Sequence, residues 1–374
     1  MPSVADIVRR FGGGYLDAHG AAMLASHRRA IADIAACRTE ALGGQLWACD
    51  TCGTVHHVWH SCRNRSCPQC HGQQTQAWLD QRRAELLPIP YFHVTVTVPQ
   101  ELRDWLRRHQ QDGYGALMTA ASEAIIAIAR DPAFVGGTVG VLAVLHTWSQ
   151  RLDHHPHVHC LVTGGGLSAD GTVWHPAANG YLAPIRAIAN GVRGRFHAAV
   201  TRRFPNLDIP PEVWTMPWVV HVTAWPPGED AILEYLARYV FRVAITDRRI
   251  LAVDDDSVTF QYKDRKSGHM KTCRVSGHEF LRRFLQHVLP KGFHKVRYAG
   301  LWHPTKRDQL QRLQQVLLLD RRETLPAEDI AAMTEAVPTA DGGTSPSTPR
   351  PCPHCRQGHF VFFRRVSPIR PRAP

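Results

Sequence analysis

Two histidines flank a single apolar residue in His157-Val158-His159. Side chains alternate along a β-strand, so both imidazoles point to one face. Further along, Tyr235 and Tyr239 stand four residues apart, which puts two phenols on one face of a helix. A paired-imidazole metal site and a paired-phenol face are the parts needed to cut DNA through a covalent phosphotyrosine. Alone, an HxH reads as two ordinary strand histidines. A third imidazole changes that reading. His146 precedes the polar turn Ser149–Pro156, and a hairpin there sets it beside His157 and His159. Three imidazoles with open positions for water or phosphate oxygens suit a catalytic Mg²⁺ or Mn²⁺. The same donors also suit Zn²⁺, which makes a zinc hydrolase the natural rival. His155, displaced by Pro156, is left in a supporting layer.

On a helical wheel of residues 231–247, Ile232, Leu233, Leu236, Ala237, Val240, Val243 and Ala244 form a broad apolar arc. Tyr235, Arg238, Tyr239 and Arg242 fall on the opposite side, where core tyrosines would not. Guanidiniums beside phenols are suited to phosphate: arginine holds the DNA backbone, and a nearby cation favours the phenolate. A phenol with a pKa of ~10 is a poor nucleophile at neutral pH, so it needs that help.

Ten cysteines are present, and six of them crowd into residues 37–70. In a reducing compartment such clustering reads as metal binding rather than a disulfide framework. Cys49-x2-Cys52 and Cys67-x2-Cys70 have the spacing of a tetrahedral zinc ribbon, so the expected Zn²⁺ ligands are these four thiolates. Cys37 and Cys62 remain for a second zinc of mixed ligands, with His56, His57, His60 and His71 near by. Arg63 and Arg65, with Trp59 and Asn64, are placed to meet phosphates. Near the end, Cys352-x2-Cys355 is half a ribbon. It reads as a relic knuckle in preference to a third metal site, and Arg364, Arg365, Arg370 and Arg372 around it add nonspecific positive charge.

The elements that must hold these residues follow from periodicity. Residues 16–36 read as a helix leading into the cysteines, and Thr75–Leu87 as another, stopped by Pro88. Phe92–Val98 alternates strictly and is rich in β-branched residues, so it is a strand. A helix is expected over Ala116–Arg130 and strands over Val139–Trp148 and Val158–Thr163. A further helix is expected over Ala187–Phe204, then a strand over Trp218–Ala224. Strands interleaved with helices indicate an α+β domain on an antiparallel sheet. Pro338–Pro351 is rich in Pro, Ser, Thr and Gly and reads as a flexible linker. The expected organisation is residues 1–90 as an amino-terminal helix and zinc-binding unit, 91–300 as the nuclease domain, and 301–374 as a C-terminal extension.

Lys and Arg number 44 against 32 Asp and Glu, a net charge of +12 over 374 residues, which suits a polyanionic partner. No apolar run approaches the ~20 residues that span a bilayer, and no secretory signal opens the chain. A cytosolic, nucleoid-associated protein is therefore expected.

The segments His155-Pro156-His157-Val158-His159-Cys160, Phe92–Pro99, Tyr235–Val240 and Phe280–Gly292 closely resemble the two-tyrosine rolling-circle insertion-sequence transposases. These are HUH endonucleases with an amino-terminal zinc-binding domain, which the window Ser61–Cys70 also resembles. Ser66 departs from that window, standing where a histidine is expected. The resemblance implies a ferredoxin-like antiparallel sheet with the metal histidines at His157 and His159 on central strands. It implies nucleophiles at Tyr235 and Tyr239, a third ligand at His146, and single-stranded or hairpin ends of a mobile element as the DNA. It also implies cleavage that leaves a 5′-phosphotyrosine and a free 3′-OH. A plasmid rolling-circle replication initiator or relaxase shares this chemistry. A noncatalytic zinc-ribbon DNA-binding regulator is the alternative from another class.

Overall fold

The computed structural model of the chain describes residues 2–70, 72–83, 85–180, 182–225, 232, 240, 243–264, 267–324 and 350–369. Its centre is a five-stranded antiparallel sheet built from β3 (Tyr91–Thr97), β4 (Gly140–Trp148), β5 (His154–Thr163), β8 (Val219–Trp225) and β12 (Val296–Gly300), in the order β12-β4-β5-β3-β8. Helix α5 (Gln110–Ala129) joins β3 to β4, and α6 (Ile185–Arg203) lies between β5 and β8. The chain order β3-α5-β4-β5-α6-β8 on a β4-β5-β3-β8 sheet is the ferredoxin-like split βαβ arrangement. The expected α+β class and antiparallel sheet are therefore observed, with β12 added beside β4.

Strict alternation explains why one face of this sheet is apolar. Phe92, Val94 and Val96 on β3, with Val158, Cys160 and Val162 on β5, join Leu117, Ala121 and Ile125 of α5 and Val192 and Phe196 of α6 in one core. The other face carries His93 and Thr95 of β3 and His157 and His159 of β5. It is lined further along by Tyr91, Leu142 and Leu161, which meet Leu310 and Leu313 of α8 (Arg307–Thr324). Ile232 and Val240, both helical, are buried in that same cluster.

A separate core ties the start of the chain to its later part. Helix α1 (Val4–His19) opens on a capping box between Ser3 and Asp6. It packs Val4, Ile7, Val8 and Phe11 against Phe280, Leu281 and Phe284 of α7 (Gly277–Leu285), and against Val258 and Phe260 of β10 (Ser257–Lys263). Each such fully buried side chain stabilises the fold by roughly 1.5–3 kcal/mol. Gly277 allows the close approach, since a Cβ there would lie 2.3 Å from Phe11 Cγ.

The expected continuous helix over 16–36 is two helices. Helix α1 ends at His19, a short 3-10 turn covers Gly20–Ala22, and α2 (Ala25–Ala36) begins after Leu24, whose backbone is extended. The break lets α2 fold back, so that Ala30, Ile31 and Ile34 share the core of α1. Helix α3 (Gly72–Arg83) stops short of the expected Leu87, and Leu86 and Leu87 instead bury beneath the sheet beside Tyr91.

A three-stranded sheet near the cysteines contains β1 (Gly44–Cys49), β2 (Val55–Trp59) and β13 (Phe360–Val366), in the order β13-β1-β2. Strands β1 and β2 form a hairpin. Strand β13 pairs antiparallel with β1, from Gly44 opposite Val366 to Cys49 opposite Phe360. Residues 350–369 thus sit on the amino-terminal unit. The expected linker lies, but for its last two residues, outside the described residues. No helix among the described residues is long and apolar enough to cross a membrane.

Candidate active site and metal centres

His146 and His157 are direct cross-strand partners on β4 and β5, and His159 follows two residues on, opposite Val144 and Thr95. The three are buried, and their ligand nitrogens lie within 4.8 Å of one another. Ring centroids are 5.5 Å apart for His146–His157, 4.7 Å for His146–His159 and 4.8 Å for His157–His159. The hairpin that the sequence suggests does bring the three imidazoles together.

Surrounding groups fix their orientation. His157 Nδ1 donates to the carbonyl of His155 at 2.7 Å, which makes Nε2 the lone-pair nitrogen. His159 Nδ1 lies 2.9 Å from His93 Nε2 and 3.2 Å from Thr95 Oγ1, and Thr95 Oγ1 lies 3.0 Å from His93 Nε2. His146 stacks on Trp148 at 4.5 Å. Burial, helped by His221, pushes His93 down to about 4, so it is neutral at physiological pH. Such outer contacts orient metal-binding imidazoles and raise their basicity. Sequence reasoning missed His93 and Thr95 as members of the site. The signal was present, because the alternation that makes Phe92–Val98 a strand puts both on the histidine face.

His155 contacts Arg103, whose guanidinium is 2.8 Å from its Nδ1, which agrees with a place outside the ligand set. Tyr235, Arg238, Tyr239 and Arg242 lie outside the described residues.

The cysteines are partitioned differently from the expected ribbon. Cys37, Cys62, Cys67 and Cys70 form one quartet, with sulfurs 3.5 Å apart for Cys37–Cys70 and Cys62–Cys70 and 3.6 Å for Cys37–Cys67. Cys49 and Cys52 are not part of it. They group with Cys352 and Cys355. Strand geometry explains the partition. The Cys49–Cys52 knuckle caps the tip of the β1–β2 hairpin, while Cys37 and Cys62 flank its base, where Arg38 N–H donates to His60. A five-residue hairpin is about 17 Å long, too far for one tetrahedron. The relic reading of Cys352 and Cys355 is corrected by the same geometry.

The first quartet fits zinc on its own donors. Tetrahedral Zn–S bonds of about 2.3 Å put sulfurs about 3.8 Å apart, close to the observed spacing. Arg38 and Arg63, each following a ligand cysteine, have left-handed φ of 55° and 56°, and Asn64 N–H lies 3.4 Å from Cys62 Sγ. Mutual hydrogen bonding drives the thiols apart: Cys37 falls to about 7, Cys70 also falls, and Cys62 and Cys67 rise. Four thiols that compete for protons at such close range are relieved together by one dication.

The two arginines assigned to phosphate separate. Arg63 is exposed. Arg65 instead donates to the carbonyls of Phe293, Leu289 and Pro290 at 2.6–2.7 Å and is partly buried. A guanidinium with its fork spent on three backbone carbonyls is a strap between the cysteine unit and the turn after α7, and it is withdrawn as a DNA contact.

Comparison with known proteins now bears on this arrangement. Residues 7–98 match a family model described as "Transposase zinc-binding domain", and residues 140–309 match one described as "Putative transposase". The chain is 38% identical over 382 aligned residues to "Putative transposase y4qJ" of Sinorhizobium fredii, covering 96% of this chain and 94% of the relative. This chain belongs to the rolling-circle insertion-sequence transposases. It is also 27% identical to "Transposase for insertion sequence element IS801" of Pseudomonas savastanoi pv. phaseolicola, over 72% of this chain and 68% of that one. No solved structure matches it. The zinc-binding match contains the whole first quartet, and the second match contains His146, His157 and His159. Membership implies DNA cleavage and transfer, and the cysteine clusters support structural zinc in this transposase.

Proposed function

We propose that this transposase nicks and joins single-stranded DNA at the ends of its element through 5′-phosphotyrosine intermediates. The observation that carries the reading is the convergence of His146, His157 and His159, with His157 Nδ1 held by the His155 carbonyl and His159 Nδ1 held beside His93 and Thr95. A divalent cation held there, Mg²⁺ or Mn²⁺, supplies charge neutralisation and polarisation at the scissile phosphate when bound. The hydroxyl of Tyr235 or Tyr239 attacks phosphorus, the bond to the 3′ oxygen breaks, and that oxygen leaves as a 3′-OH after taking a proton. The protein keeps the 5′-phosphate. Bond energy is conserved in the ester, so joining reverses the same step without ATP.

Burial of Ile232 and Val240 in the cluster that continues the histidine face supports bringing the tyrosine segment to this side of the sheet. Arg238 and Arg242 would hold the phosphate backbone beside the phenols. A second tyrosine allows a second strand to be transferred before the first is released.

The test is formation of a covalent adduct between the full-length protein and a labelled single-stranded oligonucleotide carrying an element end. An adduct is expected with Mg²⁺ or Mn²⁺ and not with chelator. Binding without any adduct in either metal would favour the noncatalytic regulator. An adduct with Zn²⁺ alone would place the histidines in the zinc class.

A further inference from the structure

We infer that Cys49, Cys52, Cys352 and Cys355 form a second structural zinc centre, one that clasps β13 to the amino-terminal unit. The zinc-binding match ends at residue 98, so it reaches only half of this quartet.

Three independent features point to a metal. The sulfurs come together at metal distances: Cys49–Cys355 is 3.7 Å and Cys52–Cys352 is 3.8 Å. That is the spacing of about 3.8 Å for thiolates around tetrahedral zinc, and far from the ~2.05 Å of a disulfide. Next, the two knuckles are built alike. The residue after each Cys-x-x-Cys is left-handed, Gly53 at φ 70° and Arg356 at φ 58°. Backbone amides turn toward the sulfurs, with Thr51 N–H and Cys52 N–H 3.4 and 3.5 Å from Cys49 Sγ, and Gly358 N–H 3.4 Å from Cys355 Sγ. Amides aimed at sulfur stabilise thiolates, the form that binds metal.

Finally, the backbone is shaped for close approach. A Cβ on Gly358 would fall 2.4 Å from Asp50 Oδ1, 2.4 Å from Thr51 Oγ1 and 2.6 Å from Cys49 Sγ. Only glycine fits there, and it lets Asp50 N–H donate to the His359 carbonyl at 3.1 Å while His359 N–H donates to Asp50 Oδ1 at 2.9 Å. The knuckles interlock through backbone as well as through sulfur. Strand β13 then continues from this clasp along β1.

The experiment counts metal on the full-length protein purified under reducing conditions, by elemental analysis and native mass spectrometry. Two zinc ions per chain are expected. The pair Cys352→Ser and Cys355→Ser should leave one, and so should Cys49→Ser with Cys52→Ser. On cobalt(II) loading, the thiolate charge-transfer absorption per chain should halve in either variant. In a second arm, a specific protease sequence is inserted between residues 338 and 349 and cut. The tail piece should stay bound through gel filtration and leave when a chelator removes the zinc. One zinc in the unaltered chain overturns the inference, as does a Cys352/Cys355 variant that keeps two. Should that variant misfold and lose both, the cut chain decides. A tail that leaves before chelation, or remains once both ions are gone, overturns the clasp.

Discussion

On the five-stranded sheet, His146, His157 and His159 stand on paired strands whose opposite face is packed with Val158, Cys160 and the helices α5 and α6. On the sheet β13-β1-β2, the cysteines stand at the end of β1 and on the turns around it, and β13 leaves Phe362 and Phe363 50% and 65% exposed. The histidines are therefore positioned before any ion arrives, by a hydrogen-bonded ladder over an apolar core. The first cysteine quartet borders the core of α1, α2 and α7, while the Cys49–Cys52 knuckle lies away from it, where a metal staple is the expected substitute for apolar packing. On the function proposed above, a metal is a reagent in one region and a part of the fold in the other.

The largest effect expected separates chemistry from structure in the nuclease region. Tyr235→Phe with Tyr239→Phe should abolish the covalent adduct, while the melting temperature stays within about 2 °C, because only hydroxyls are lost. Each single variant should keep some one-step cleavage and lose the complete transfer cycle. An adduct on the double variant moves the nucleophile elsewhere, with Tyr262 next to be tested.

His157→Ala or His159→Ala should lower cleavage about 10²–10³-fold with DNA affinity nearly unchanged, since binding rests on dispersed arginines and lysines. Circular dichroism should show the fold retained. A histidine variant that unfolds would break the comparison, because the ladder would then depend on the imidazoles. Cys67→Ser with Cys70→Ser should do the reverse. It should lose the first zinc and most amide protection over residues 37–70, with the five-stranded sheet still protected in hydrogen exchange.

Thr95→Val is a finer probe. It removes the hydroxyl shared by His93 and His159 and should cost about 10-fold in Mn²⁺ affinity without altering zinc content. The smallest effect concerns pH. Burial, outweighing a hydrogen bond to Leu152, lowers His287 to about 3; burial, with Arg107 and Arg103, lowers His154 to about 4. Unfolding lets both take protons at their ordinary value near 6.5. Stability from their neutral burial is full above pH 6.5 and is lost as pH falls from there toward 4. His287→Gln should flatten that decline in a urea titration followed from pH 7 to pH 5.

The contrast also explains what was legible in the sequence. Strand β3 announces itself by alternation and β4 by a near-continuous apolar run, and the period of two along β3 and β5 puts His157, His159, His93 and Thr95 on one face. Local rules were enough there, because His146 and His157 are joined by a short hairpin. The cysteine pairs obey no local rule. Cys49-x2-Cys52 fits any second knuckle equally well by spacing, and the strand that separates it from Cys67 and Cys70 does so by length, a property of the folded hairpin. Its true neighbour lies 300 residues away. Arg65 was misread for a similar reason: a basic residue between metal ligands looks like a phosphate contact until the carbonyls of Leu289, Pro290 and Phe293 close around it. Gly20 and the extended Leu24 turned one expected helix into two.

The pairing of β13 with β1 also has a meaning in time. A ribosome adding roughly 5–20 residues per second needs about 15–60 s to travel from the first knuckle to the last. Throughout that interval β1 has β2 on one side and an open edge on the other, a template on which strands of other chains can assemble. The edge closes only when β13 has been made and has reached β1. A polypeptide cut short before Cys355 would keep its histidines but leave the edge of β1 open. The β1 edge is thus covered by a segment about 300 residues away in sequence, so its closure waits on a long-range encounter and not on the local hairpin.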